Sequence, residues 1–157
     1  MTSRVHLDWK EVELGDKRFF KRFGGGTPKR HKKEFWNGPV PWLSNIELSK
    51  GTLNYVFDTK EKITELALAR NQTELIPENS VMLTCTATIG KVGINKIPLC
   101  TNQQFNSFQC SEEVLPEYLA YYFLLSQDQL QAIAGKTSFP HITIGSLSKF
   151  KVMLPPI

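Results

Sequence analysis

The sequence predicts a single α+β domain over residues 1–157, built on a twisted sheet with mixed or antiparallel pairing and hairpins. Strand-like segments dominate the first two thirds of the chain, whereas the one long helix-forming run comes late. Apolar residues make up 41% of the 157 residues, which is enough for one well-filled core and too little for two. We therefore expect strands first, short helices among them, and a long helix near the end.

The first predicted strand is WKEVELGD (residues 9–16), which carries apolar residues among charged ones and ends at Gly15. A basic turn and a loop rich in glycine and proline follow it. The segment VPWLSNIEL (residues 40–48) is predicted as a second strand, bounded by Pro39 and Gly51.

A helix is predicted over residues 58–71, DTKEKITELALARN, with Asp58 or Thr64 as its cap. The residues that would share one face of this helix are Ile63, Leu66, Ala67 and Arg70. Residues 80–95 are rich in β-branched side chains, and this predicts two strands around a turn at Gly90.

Residues 101–110 are predicted to continue as a strand, with Phe105 and Phe108 in the core. The longest helix is predicted to begin at Pro116 and to end at Gly135, because proline suits the first helical position and glycine the C-terminal cap. A loop, a helical turn in GSLSKF and a last strand in KVMLP complete the chain.

Positive charge is concentrated in one short segment. Residues 17–33 contain eight Lys or Arg residues and no acid, interleaved with Phe19, Phe20 and Phe23. The formal net charge of the whole chain is only +4, so the remainder is acidic on balance. A run of charge is usually a solvated surface, but a basic segment with aromatic residues inside a folded domain favours a polyanionic ligand.

The sequence carries no recognisable catalytic, metal or cofactor motif. The cysteines Cys85, Cys100 and Cys110 lack CxxC spacing, which argues against a disulfide framework or a zinc site and favours buried free thiols. Neither a Walker A motif nor GxGxxG occurs, and the acids are too scattered for a metal-dependent nuclease. No run has the length of a membrane span and the N-terminus has no signal-peptide core, so we expect a cytoplasmic protein.

Four loops rich in polar and amide side chains remain. Asn, Gln, Arg and Lys side chains form hydrogen bonds with base edges in the major groove of DNA. Any one of them could equally brace a loop backbone, but four such loops beside a basic segment favour DNA. The candidates for base or groove contacts are Ser44, Asn45, Arg70, Asn71, Gln103, Lys136, Ser138 and His141.

The stretch GGGTPKRHKK (residues 24–33) joins glycines to cations. Glycine permits tight turns and close approach, and positive charge suits backbone phosphates, which fix register without reading sequence. The glycines could instead only make a turn that packs under Trp36 or Trp42. The candidates for loop geometry are Gly24, Gly25, Gly26, Pro28 and Gly90, and those for phosphate contacts are Lys29, Arg30, Lys32, Lys33 and Lys91.

Seven motifs follow one another in a distinctive order over residues 9–157. They are WKEVELGD, GGGTPKR with FWNGPVPWLSNIEL, KITELALARN, LIPENSVMLTCTATIGKVGIN, CTNQQF, EYLAYYF and AGKTSFPHITIGSLSKFKVMLPPI. Each is weak alone, but the succession closely resembles a target recognition domain of the specificity (S) subunit of type I restriction-modification enzymes.

The resemblance implies a non-catalytic module that reads one half of a split DNA target. In the family, a full S subunit carries two such domains joined by long helices, and it docks methyltransferase subunits and, for cleavage, a motor-nuclease subunit. The expected partners are therefore double-stranded DNA and these subunits, with no cofactor, no metal and no membrane. The chain stops at Ile157, where the spacer helix of the family would begin, so we expect the N-terminal recognition domain of such a subunit.

Two other classes of function remain open. One is a protein-interaction module whose basic segment meets an acidic partner, and the other is a nucleic-acid enzyme without a recognisable catalytic motif. Loops rich in Asn and Gln favour bases over carboxylates, and the scattered acids argue against an enzyme. The loops therefore favour binding of double-stranded DNA, and the resemblance implies sequence-specific binding within a prokaryotic defence system.

Overall fold

The computed structural model of the chain describes residues 8–156. Within this range the strands are β1 (Lys10–Glu13), β2 (Phe20–Gly24), β3 (Trp36–Leu43), β4 (Leu53–Val56), β5 (Glu61–Ile63), β6 (Val81–Thr86), β7 (Thr88–Asn95), β8 (Cys100–Thr101), β9 (Phe105–Cys110) and β10 (Lys151–Leu154). The helices are α1 (Glu65–Ala69), α2 (Pro116–Leu125), α3 (Gln127–Ala134) and α4 (Ile144–Ser148), with 3-10 turns at Lys33–Phe35 and Asn45–Glu47.

The strands form three sheets. The largest has the order β2-β9-β6-β7-β4, antiparallel throughout except for the parallel pair of β4 and β7. In the second sheet β3 lies between β5, which is antiparallel to it, and β8, which is parallel. Strands β1 and β10 form an antiparallel pair. This mixed pairing confirms the predicted α+β fold.

The five-stranded sheet separates two apolar layers. On one face Leu83 and Phe108 pack with Phe123 of α2 in the largest core cluster. On the other face Met82 and Phe105 pack in a second cluster, beside the chain that leaves β3. Phe105 and Phe108 are both buried, as predicted, and they face opposite layers because side chains alternate along a strand.

A third cluster lies under the three-stranded sheet. It contains Trp42, Phe35, Ile63 and Cys100, all of which are at least 94% buried. The three cysteines are free thiols, with Cys85 and Cys100 buried and Cys110 partly buried, and this confirms the sequence expectation.

The helix predicted over residues 58–71 is wrong for its first half. Glu61–Ile63 forms β5 and pairs with β3, so α1 begins only after Thr64. Thr64 is indeed the cap, since its Oγ1 accepts a hydrogen bond from the Ala67 N–H at 3.3 Å. Asp58 instead accepts from Lys62 at 2.7 Å, and this hydrogen bond lowers the pKa of Asp58. The strand was missed because its pairing partner lies elsewhere in the chain.

The turn predicted at Gly90 is also displaced. The chain reverses at Ala87, with φ 61°, between β6 and β7. Gly90 lies within β7 with φ +94°, where the carbonyl oxygen of Gly90 accepts a hydrogen bond from Gln127 Nε2 at 3.1 Å. A side chain at Gly90 would overlap Gln127, so this glycine serves contact with α3.

The remaining boundaries differ in smaller ways. The late helix begins at Pro116 and ends before Gly135 as predicted, but Ser126 divides it into α2 and α3. The strand predicted at residues 40–48 begins earlier and gives way to the 3-10 turn Asn45–Glu47. The basic turn predicted after the first strand contains β2, which pairs with β9.

Candidate nucleic-acid interface

Three loops leave the five-stranded sheet at one edge. Gly24, at the end of β2, lies opposite Asn106, near the start of β9. The end of β6 also lies beside the start of β9 and continues into the β6–β7 turn. The glycine loop (residues 24–28), the loop 101–104 and the β6–β7 turn therefore lie at the same end of the strands. We call the surface formed there the loop edge.

The glycine loop is packed backbone to backbone against the loop 101–104. The Gly26 N–H donates to the Thr101 carbonyl oxygen at 2.9 Å, and a Cβ added at Gly25 would overlap the Asn102 carbonyl oxygen. The Trp42 indole N–H donates to the Gly26 carbonyl oxygen at 2.9 Å. Glycine is required here for close approach within the protein, which matches the alternative reading in which the glycines pack with Trp42.

The loop that follows α1 holds the other side of the glycine loop. The Glu74 carboxylate accepts a hydrogen bond from the Gly24 N–H, and Gln72 Oε1 accepts one from the Lys29 N–H at 3.4 Å. Pro28 is buried at this junction. The glycine loop is thereby fixed between two polar loops, so the residues after it have a defined position.

Three of the predicted phosphate contacts are free surface cations. Lys29, Lys32 and Lys33 are exposed, and within residues 8–156 their side chains form no ion pair. Unpaired cations on a rigid loop are the groups that bind phosphates most readily. The structure therefore leaves these three lysines available for a polyanion.

Arg30 is engaged within the protein. Its guanidinium contacts both oxygens of the Glu61 carboxylate and lies 4.1 Å from the ring centre of Trp36 and 5.1 Å from that of Trp42. The two indole rings meet edge to face, with centres 5.2 Å apart. Arg30 thus braces an aromatic pair, and a phosphate would have to compete with Glu61 for it.

The turn that carries Ser44 and Asn45 reaches the loop edge through an amide contact. Asn102 Nδ2 donates to Asn45 Oδ1 at 2.9 Å, and Glu47 accepts from the Ser44 N–H at 3.4 Å. Lys91 Nζ, a predicted phosphate contact, donates to the Asn45 carbonyl oxygen at 2.9 Å. Lys91 therefore fixes the backbone of this turn.

Gln103, Arg70 and Asn71 flank the glycine loop and are exposed. The Gln103 amide oxygen is hydrogen-bonded to the Thr27 hydroxyl group. Asn71 has φ 55°, a left-handed conformation that asparagine tolerates, directly after the C-cap Arg70. All three predicted groove residues therefore lie near the free lysines.

The loop between α3 and α4 (residues 135–142) joins the same edge. His141 Nδ1 and the Thr86 hydroxyl group lie 2.8 Å apart, and this contact holds the loop against the end of β6. Lys136 and Ser138 are exposed in the same loop. The structure thus brings all four predicted polar loops to one edge of the sheet.

Two residues at the loop edge were missed from sequence. Ile46 is 79% exposed and Phe139 is 64% exposed, so two large apolar side chains project among the polar loops. Exposed apolar groups of this kind suit contact with thymine methyl groups. Asn102, which belongs to the predicted polar loop CTNQQF, is only 8% exposed and donates to Asn45. The sequence did offer a signal for Ile46, since an apolar residue between polar ones can mark an exposed contact. Residues 40–48 are instead predicted as a strand, so Ile46 is not among the candidate contacts.

The first half of the basic segment lies on β2 and in the turn before it. Lys17, Lys21 and Arg22 line a cavity of about 530 Å³ beside β2. Arg22 Nη1 also donates to Asn106 Oδ1 at 2.8 Å, and Asn106 pairs with Gly24 at the start of the glycine loop. Arg18 binds Asp16 at 2.8 Å, and this hydrogen bond lowers the pKa of the Asp16 carboxyl group. Of the eight cations of residues 17–33, Arg18 and Arg30 form ion pairs within the protein, whereas Lys29, Lys32 and Lys33 follow the glycine loop without one among residues 8–156.

The described part of the chain offers no metal site. Within residues 8–156 no group of three or more His, Cys, Asp or Glu side chains could hold a metal ion. Over the same range no helix combines the length and the apolar character that crossing a membrane requires.

Comparison with known proteins decides the family. Residues 6–157 match the family model described as the type I restriction modification DNA specificity domain. The chain belongs to this family. The type I restriction enzyme MjaIX specificity subunit of Methanocaldococcus jannaschii is 33% identical over 155 residues, which are 98% of this chain and 35% of that protein. The EcoR124I/EcoR124II specificity subunit of Escherichia coli is 31% identical, over 96% of this chain and 37% of that protein.

Solved structures of specificity subunits share the fold of this specificity domain. The HsdS subunit of Thermoanaerobacter tengcongensis superposes with a TM-score of 0.67 at 13% identity, over 96% of this chain and 34% of that one. A structure describing complex assembly and conformational transition of the type I R-M system gives a TM-score of 0.71 at 16% identity, over 96% and 35%. The domain thus spans about a third of the relatives that it matches.

The family confirms the resemblance inferred from the seven motifs. It also confirms the expectation of a non-catalytic specificity component, because the curated relatives are specificity subunits. The roles of individual loop residues remain predictions, which the geometry of the loop edge now makes specific.

Proposed function

We propose that this specificity domain binds double-stranded DNA at the loop edge and reads one half of a bipartite target for a type I restriction-modification complex. The observation that carries the proposal is the convergence of four polar loops beside three unpaired lysines. Lysines on a fixed loop supply sequence-independent affinity through phosphates, and the amide-bearing loops supply the choice of bases.

The proposal divides the predicted residues into two groups. Lys29, Lys32 and Lys33 contact phosphates, whereas exposed or partly exposed side chains of the four loops contact the groove. The proposed groove contacts are Asn45, Arg70, Asn71, Gln103, Lys136, Ser138 and His141, with Ser44 setting the turn. Arg30, Lys91 and the glycines shape the loops that present them.

Selection of bound sites from a random duplex library tests the proposal. The domain should enrich one short sequence at low salt, and the affinity should fall with salt concentration. With Lys29, Lys32 and Lys33 as the phosphate contacts, log K against log salt should have a slope of roughly −3. No enrichment together with a slope near zero would reject DNA recognition, and competition by polyglutamate alone would favour an acidic protein partner instead.

Single variants at the loop edge sharpen the same test. Replacing a base-contacting Asn71, Gln103 or Ser138 by alanine should cost about 1 to 3 kcal/mol on the selected site and almost nothing on a scrambled duplex. A residue that only braces its loop would lower the melting temperature instead. Fluorescence anisotropy on both duplexes, with thermal unfolding of each variant, separates these outcomes.

Partner docking completes the proposal. We infer that the domain works in the cytoplasm within an assembly that includes methyltransferase subunits and, for cleavage, the restriction motor-nuclease subunit. The support is the family, whose curated members are specificity subunits of restriction enzymes. Co-purification of the full-length subunit with its methyltransferase subunit tests this, and the isolated domain should neither methylate nor cut DNA.

A further inference from the structure

The orientation of the Asn102 side chain is determined by a backbone group. The Gln104 N–H donates to Asn102 Oδ1 at 3.3 Å. A backbone N–H can only donate a hydrogen bond, so the side-chain atom that faces it must be the oxygen. The amide nitrogen of Asn102, on the other side of the group, therefore points away from Gln104 and toward Asn45.

The same logic determines the orientation of Asn45. Asn102 Nδ2 can only donate, and it lies 2.9 Å from the Asn45 side chain, so the atom facing it is Asn45 Oδ1. Lys91 Nζ holds the Asn45 carbonyl oxygen at 2.9 Å, which fixes the main chain at this residue. The Asn45 amide nitrogen is left without a partner among residues 8–156.

The turn around Asn45 is rigid as well. One oxygen of the Glu47 carboxylate accepts from the Ser44 N–H at 3.4 Å and the other from the Lys60 N–H at 3.0 Å. Asn102 itself is anchored, since its backbone N–H donates to the Leu43 carbonyl oxygen at 3.0 Å. A side chain held on every side loses little freedom on binding, which favours selective contacts.

We propose that Asn102 is a positioning residue that turns the Asn45 amide nitrogen toward the DNA, so that Asn45 donates to a hydrogen-bond acceptor on a base edge in the major groove. The proposal rests on DNA binding at the loop edge. The acceptors available there are purine N7, guanine O6 and thymine O4. One base pair of the half-site is therefore selected by its hydrogen-bond acceptor. Two successive hydrogen bonds, from Gln104 to Asn102 and from Asn102 to Asn45, determine this selection.

Asn102→Asp tests the proposal by reversing the direction of the hydrogen bond between residues 102 and 45. An aspartate still accepts from the Gln104 N–H but cannot donate, so the Asn45 amide must rotate to donate its nitrogen to the new carboxylate. Asn45 then presents its oxygen to the DNA. Selected sites should change at one base pair, from an acceptor on the contacted edge to a donor such as cytosine N4 or adenine N6, with a change in relative affinity of about tenfold.

Two further arms keep the test decisive. The double variant Asn45→Ala with Asn102→Asp should show the same preference as Asn45→Ala alone, since Asn102 acts only through Asn45. In the wild-type domain, 7-deazapurines, 6-thioguanine or 4-thiothymine placed singly in the selected site should weaken binding at one position. That loss should vanish in Asn45→Ala, and this arm stands even if Asn102→Asp does not fold.

The outcomes are distinct from those of the proposed function. A wild-type domain that enriches no sequence overturns DNA recognition itself. If the wild type selects a site but Asn102→Asp retains every base preference, the positioning role is wrong while DNA recognition stands. Asn45→Ala gives a further comparison: if it loses the same affinity on all duplexes, and if the effect of every base analogue is the same in it as in the wild type, Asn45 contacts a phosphate. That outcome would equally overturn the inference.

Discussion

The Trp42 indole N–H donates to the Gly26 carbonyl oxygen at 2.9 Å, which joins β3 to the glycine loop. Trp42 is 1% exposed, so this hydrogen bond is made in the core of the smaller sheet. Gly26 in turn donates its N–H to Thr101, so one residue connects the indole to the loop before β9. The position of the lysines that follow the glycine loop depends on this contact.

Replacing Trp42 with phenylalanine should destabilise the domain by roughly 2 to 3 kcal/mol, because it leaves the partly buried Gly26 carbonyl oxygen without its indole donor and removes core volume. Urea unfolding monitored by circular dichroism measures this. The matched control is Trp36→Phe, since Trp36 donates to the Lys29 carbonyl oxygen at 3.2 Å but is only partly buried. An equal loss of unfolding free energy in both variants would show that the Trp42 hydrogen bond to Gly26 contributes no more than that of Trp36 to Lys29.

Gly25→Ala should be strongly destabilising. The added Cβ would overlap the Asn102 carbonyl oxygen, which belongs to backbone and cannot move aside cheaply. Overpacking of this kind typically costs about 1 to 3 kcal/mol. Gly145→Ala is the control, because its Cβ would meet only Thr143 Oγ1 at 4.0 Å. Thermal unfolding of both variants decides the matter, and tolerance of Gly25→Ala would show that the loop 101–104 is not held as described.

Replacing Lys32 and Lys33 together with alanine should weaken binding to all duplexes by a similar factor. Each lost phosphate contact should lower the steepness of the salt dependence by about one, so the slope should change by about two. The control is Lys151→Ala, since Lys151 pairs with Glu13 at 3.3 Å in the two-stranded sheet. Anisotropy titrations at several salt concentrations measure both. A changed base preference in the double lysine variant would argue against phosphate contacts.

The cysteines should be unreactive in the folded domain. Burial raises the pKa of Cys85 to about 11 and the pKa values of Cys100 and Cys110 to about 12, above the ordinary value of 9.0. Alkylation by iodoacetamide at pH 8 should therefore be slow until urea unfolds the chain. Mass spectrometry counts the modified thiols, and rapid labelling in buffer would contradict their burial.

These raised pKa values also set a pH dependence. The folded state holds the thiol protons more tightly than the unfolded chain does, so this contribution to the free energy of unfolding is fully present below about pH 9. It is lost as the pH rises through 11 to 12. Urea titrations between pH 8 and 11 should show falling stability, and an unchanged free energy of unfolding over that range would contradict the shifts.

Local signals predicted the elements that depend on neighbouring residues. Proline at the start and glycine at the end marked the late helix, and the Thr64 hydroxyl group was available as a cap whatever the rest of the chain did. The β-branched run at residues 80–95 predicted two strands, although their turn lies at Ala87. Glycine at position 90 instead accommodates φ +94° within β7, and no local pattern distinguished it from a turn residue.

By itself the sequence determined the fold class, the family and the four polar loops, because composition, periodicity and motif order are properties of the chain alone. Only the tertiary structure decided which charges act together. Among residues 8–156, Arg18 pairs with Asp16 and Arg30 with Glu61, whereas Lys32 and Lys33 form no ion pair. Pairing of β5 with β3 replaces a predicted helix with a strand. The direction of the Asn45 amide likewise depends on hydrogen bonds to residues far along the chain, which no local pattern encodes.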